Sequence, residues 1–156
     1  MIPSEAIYAV YRERLKSITT ANGYHSDAGL EVYEGWLAHA LVMDQQQEFP
    51  FIALQPGQDR RASKSSGGRL VREINFEIIV AEKAADGVSA RLLQHEFDLI
   101  HALADRNNTE QLNGTALSNE VGDADYNIPE DGYPVAWVAL TVTARYQLIL
   151  DPDSQT

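Results

Sequence analysis

Cysteine is absent from this chain of 156 residues, which removes disulfides, thiolate zinc sites and thiol nucleophiles together. Positive charge is scarce: 12 Lys and Arg stand against 23 Asp and Glu, a net charge of −11. Gripping nucleic acid needs clustered Lys and Arg, so that task is disfavoured, whereas a surface past which DNA slides is compatible with the balance. No apolar run reaches membrane-spanning length, and residues 1–14, with Glu5, Arg12, Glu13 and Arg14, read as neither a secretory signal nor an anchor. Motifs for chemistry are missing too. Ser65-Ser66-Gly67-Gly68 lacks the Lys-Ser/Thr ending of a phosphate loop, and there is no Gly-x-Ser-x-Gly elbow. His95-Glu96 opens like a zinc-protease motif, but the second histidine it requires is replaced by Leu99. His25, His39 and His101 have no ligand spacing, and Asp123, Asp125, Glu130 and Asp131 fail the calcium-loop pattern because Tyr126, Asn127 and Ile128 interrupt it. No catalytic residue, metal or cofactor is expected.

What is present is a globular composition. The 44% hydrophobic content and a length long enough to bury a core without staples predict one domain over 1–156. Pro3 followed by Ile7, Val10, Tyr11, Leu15 and Ile18 predicts an amphipathic helix over 3–19. Asn22-Gly23 suits a left-handed cap, and 30–35 reads as a short strand. Residues 36–48 read as strand continuation and connector. An apolar strand over 49–55 carries Pro50 and ends at Pro56-Gly57, and the polar, Ser- and Gly-rich 58–68 is expected to be flexible. Two-residue alternation of Leu70, Ile74, Phe76, Ile78 and Val80 predicts a strand over 70–83, which together with the preceding strand makes a projecting hairpin around 56–70. Ser89 is placed to cap a helix with the stripe Leu92, Leu93, Phe97, Ile100, Leu103 and Ala104, ending at Asn107-Asn108. A strand over 115–121, an acidic loop over 122–132 and a long strand over 133–150 complete the chain. The order α-β-β-β-α-β-β predicts an α+β fold: a four- to five-stranded, mostly antiparallel sheet with two helices on one face.

Charge is unevenly spread. Arg60, Arg61, Lys64, Arg69 and Arg72 face only Asp59 across 59–72, a local charge of +4, whereas 107–156 holds eight acids, Glu120, Asp123 and Asp125 among them, against Arg145, a charge of −7. Such asymmetry suits head-to-tail contact between copies, and heterologous contacts of that kind close into rings. Arg60, Arg61, Lys64 and Arg69 are therefore candidate inter-subunit contacts, with Asp123 and Asp125 as acidic partners. Trp36, which no pattern buries, and Trp137, on the opposite face of its strand from Val138 and Leu140, are candidate aromatic anchors.

Taken as a pattern, the first helix, Thr19-Thr20-Ala21-Asn22-Gly23-Tyr24, Asp27-Ala28-Gly29, a short strand and the Phe49-Pro50 strand, with the later helix around Phe97 and a final strand near Arg145-Tyr146, resemble the tail terminator proteins of long-tailed bacteriophages. The resemblance implies a virion protein, made in the host cytoplasm, in which six copies form a ring on the head-proximal end of the tail tube. Such a ring stops tube polymerisation and gives the head connector its docking surface. It implies as partners the chain itself, the tail tube protein and a connector or neck protein. DNA would pass through the lumen without specific binding, and no membrane is involved. The family brings no catalytic residues. A neck, head-tail joining or tail completion protein is the neighbouring alternative, and a soluble ligand-binding or enzymatic domain the more distant one.

Overall fold

The computed structural model describes residues 1–43, 48–62, 68–107, 109–130 and 132–150. Helix α1 (Pro3–Lys16) starts where Pro3 supplies a helical φ and the Glu5 carboxylate accepts a hydrogen bond from the Ile2 N–H. Ile7, Tyr11 and Leu15, four residues apart, are fully buried. Strands β1 (Val32–Glu34), β2 (Phe51–Arg61), β3 (Arg69–Lys83), β4 (Ser118–Asn127) and β5 (Val135–Ile149) form one sheet in the order β1-β2-β3-β5-β4. Among the described residues only the short β1–β2 pairing is parallel, so the α+β fold with a mostly antiparallel sheet is present as expected.

Helices α1 and α3 (Val88–Leu103) share the main core with one face of the sheet, represented by Ile52, Leu54, Phe76, Ile78, Val138, Leu140 and Val142. The opposite face differs from expectation. Residues 37–43, expected as strand continuation, form helix α2 (Leu37–Met43), because Leu37, Ala40 and Leu41 fall on one helical side and pack over Phe51, Ala53, Ile79, Ala81 and Val135 in a second, smaller core. The predicted stripe of α3 is also corrected. Leu93, Phe97 and Ile100 are exposed, while His95 and Asp98 are buried beside Leu92, Leu99 and Leu103. Both polar residues are satisfied: His95 Nε2 lies 3.0 Å from the Glu82 carboxylate, and Asp98 meets His25. Burial alone would raise Glu82, but the hydrogen bonds from His95 and the Lys83 N–H prevail and hold it below the usual carboxylate range. The N-cap of α3 is Gly87 in the left-handed region, not Ser89, and the helix ends at Leu103.

The segment between α1 and β1 is held by its own side chains. Asp27 accepts from the Thr20 N–H at 2.7 Å and the Thr20 hydroxyl at 2.9 Å, which lowers its pKa. The Asn22 amide donates to the Ser17 carbonyl, and Gly23 takes φ +90°. Gly29 donates to the Ile18 carbonyl at 2.8 Å, and a Cβ there would stand 2.4 Å from the Leu15 carbonyl oxygen. Only glycine allows this close approach of β1's lead-in to the end of α1. A second polar knot, partly buried, lies at the same helix end. Arg14 bridges Asp105 at 2.9 Å and Glu110 at 3.0 Å, and Asp105 accepts from the Leu112 N–H within the one-turn α4 (Gln111–Gly114), whose Gln111, Leu112 and Asn113 have positive φ.

Candidate inter-subunit surface

Hydrogen-bond registers align residues in rows across the sheet, and these rows place the candidate residues. One row is Tyr33, Ala53, Ile79, Ala139 and Asp125; another is Arg60, Glu73, Arg145 and Ser118. Strand β1 ends at the row of Leu54, so beyond Gln55 strand β2 becomes a border of the sheet. Strand β4 is the opposite border along its whole length. Pro56 sits inside β2 where the neighbouring strand has ended, so its missing N–H costs no ladder bond on the open side. It therefore does not stop the strand, as its sequence position suggested. The hairpin of β2 and β3 reaches past β1, though β5 backs β3 throughout.

Both borders carry a bulge, and the two flank one row, Pro56, Phe76, Val142 and Val121, from opposite sides: the β2 bulge on its Ile74 side and the β4 bulge on its Ile78 side. In β2 the extra residue lies between Pro56 and Asp59, with Asn75 Oδ1 accepting from the Gln58 N–H at 2.8 Å. In β4 it lies between Val121 and Ala124. Each bulge holds a glycine: at Gly57 a Cβ would push on the Asn75 side chain, 2.1 Å from its Oδ1, and at Gly122 it would stand 2.9 Å from the Thr141 carbonyl oxygen. The β4 bulge breaks the two-residue alternation, which is why 122–127 read as a loop although it is strand. Asp123 and Asp125 are thus strand residues, and Asp131 lies outside the described residues.

The basic cluster is partly neutralised at home. Arg72 Nε is 2.8 Å from Asp59 and Arg60 Nε is 3.4 Å from Glu73. Asp59 also accepts from the Tyr146 hydroxyl, and burial with this bond pushes that hydroxyl up to about 12. Arg60 nevertheless keeps a side chain 60% exposed, and Arg61 and Arg69 are exposed. Lys64 and 63–67 of the expected flexible loop lie outside the described residues, while Gln58 to Arg61 are strand. The sheet does not bring Asp123 and Asp125 level with these arginines: Asp125 shares a row with Tyr33 of β1. Glu120, two rows from that of Arg60 and on the same face as Thr143 and Arg145, is the acid of β4 nearest its level. Counting charge without register could not single it out.

Trp36 and Trp137, distant in sequence, are brought together. With Leu37, Leu41, Ile79 and Tyr133 they line an open groove of about 560 Å3 on the α2 side of the sheet. Trp36 is 57% exposed, whereas Trp137 is partly buried against the smaller core. A second hollow, about 530 Å3, lies between 22–25 and the exposed side of α3. There His25 Nδ1 is 2.7 Å from the buried Asp98, and the Phe97 and His101 rings stack at 4.1 Å. His25 and His101 have no ligand spacing in the sequence, and only the fold places them around one hollow. No group of three or more metal-ligating side chains gathers among the described residues, and none of their helices is long and apolar enough to cross a membrane.

Compared with known proteins, the chain matches no family model and no curated protein.

Proposed function

We propose that this chain is a structural subunit of a bacteriophage tail, a tail terminator that assembles head to tail into a ring at the head-proximal end of the tube. In that position it stops tube polymerisation and offers the surface to which the head connector binds. The observation that carries the proposal is the inequality of the sheet's two borders: Arg60 and Arg61 on the open half of β2, Glu120, Asp123 and Asp125 on β4. Two unlike borders on one subunit favour a contact repeated around an axis over a self-complementary pair. The elements named in the resemblance occur in sequence order, α1, the 17–30 segment, β1 and the β2–β3 hairpin, with helix α2 inserted between β1 and β2. Partners on this account are further copies of the chain, six to a ring as the resemblance implies, the tube protein and the connector. The open Trp36–Trp137 groove offers either of the latter two an aromatic anchor site. The net charge of −11 keeps passing DNA from being held, since like charge prevents counterion-releasing contacts.

Disruption of the gene, with electron microscopy of the resulting tails, tests the proposal. The expected result is overlong or headless tubes. Tubes of normal length beside unjoined heads reassign the chain to the neck, and an unchanged virion ends both structural accounts.

A further inference from the structure

We propose that the ring closes by sheet extension, the β4 border of one copy pairing antiparallel with the 56–61 border of β2 on the next, with Arg60 reaching Glu120 across the junction. The inference rests on the ring proposed above and deepens it by naming the contact. Four observations converge. First, among the described residues no strand pairs with the outer side of β4 or with β2 beyond Gln55, so both borders present unpaired backbone groups. Open edges of this kind are templates for another strand.

Second, direction fits. Strand β3 runs opposite to β2, β5 opposite to β3, and β4 opposite to β5, so β4 and β2 run in opposite senses. Rotation about an axis along the strands leaves their directions unchanged, and the meeting of β4 with the next copy's β2 is then antiparallel, the ladder a short border pairs in most readily. Third, level fits. With the strands along the axis, rotation shifts no row, so the Val121 row meets the Pro56 row, the β2 bulge faces the regular 119–121 stretch of β4, and the β4 bulge lies beyond the 56–61 border. In this register Arg60 stands opposite Ser118 and diagonal to Glu120, on one face of the sheet, a separation long side chains span. Fourth, charge fits. Arg60 is 60% exposed despite its Glu73 partner, and Glu120 has no ion-pair partner among the described residues.

Charge reversal of each border, read by sedimentation and light scattering of the full chain at physiological salt, tests the pairing. The wild-type chain should associate. Arg60→Glu and Glu120→Arg should each weaken association about tenfold or more through like-charge contact. Mixing the two variants should restore it, because each junction then joins opposite charges in alternating copies, and the double reversal within one chain should restore it to within about threefold of wild type. Unchanged circular dichroism and melting of each variant keeps a folding defect from imitating the loss. Single variants that associate like wild type, or a double reversal no better than the weaker single, overturn the edge pairing while leaving a ring intact. A wild-type chain that stays monomeric at high micromolar concentration overturns the ring and the pairing together.

Discussion

The 17–30 segment and the two sheet borders use similar residue types to opposite ends. In 17–30 the polar groups that set its shape are answered inside the chain: Asp27 by Thr20, Asn22 by Ser17, and the His25 N–H and ring by Asp98. Along the borders, backbone groups of β4 and the far half of β2 have no strand beside them among the described residues, and Arg60 and Glu120 remain exposed. The difference teaches that the most recognisable stretch of this sequence is recognisable because folding needs it. Thr19-Thr20-Ala21-Asn22-Gly23-Tyr24 and Asp27-Ala28-Gly29 are demanded by a turn, a carboxylate bridge and a close backbone approach. That stretch therefore speaks first about fold, and the proposed association belongs to the less conspicuous borders.

The comparison breaks most visibly at Gly29. Gly29→Val should cost at least about 3 kcal/mol of unfolding free energy in a denaturant titration, because the new side chain meets backbone of Leu15 and Ile18 that cannot retreat. Next in size, Asp98→Ala should cost roughly 2–3 kcal/mol, since it strips the buried acceptor from the His25 N–H and ring, and 22–25 should lose hydrogen-exchange protection. Smaller is a pH effect. Asp27, held down by the Thr20 hydrogen bonds, and Glu34, held down by the Tyr8 hydroxyl and then by Arg12, sit below their ordinary range. A depressed carboxylate contributes stability that is fully present above its unfolded pKa and lost as pH falls through its folded one. Unfolding free energy should thus decline from about pH 5 downward, and Asp27→Asn should flatten part of that decline while leaving association at neutral pH unchanged. Least of all, Glu120→Arg should move the unfolding free energy of the monomer by no more than about 0.5 kcal/mol, since an exposed border residue has little to lose.

Much of the fold was legible in periodicity. The alternation of 70–83 and 133–150 and the four-residue spacing of Ile7, Tyr11 and Leu15 each survive in the structure because one face or stripe is buried. What was not legible has particular causes. A one-residue bulge disguised β4, and partnered polar side chains, His95 and Asp98, occupied core positions of α3 while Phe97 and Ile100 turned outward. Helix α2 was missed because only seven residues carry its pattern. The candidate surface was legible in part. Arg60, Trp36 and Trp137 were singled out from sequence, but Glu120 emerges only when strand register ranks the acids by height.

Hydrogen exchange of the backbone amides, measured below and above the concentration at which the chain associates, tests most directly that the borders and not the 17–30 segment carry association. The account predicts that amides of β4 at 118–121 and of β2 at 57–61 slow markedly on association while those of 20–29 exchange at unchanged rates. Slowing confined to 20–29 or to the α3 side around Phe97, with the borders unchanged, would contradict it.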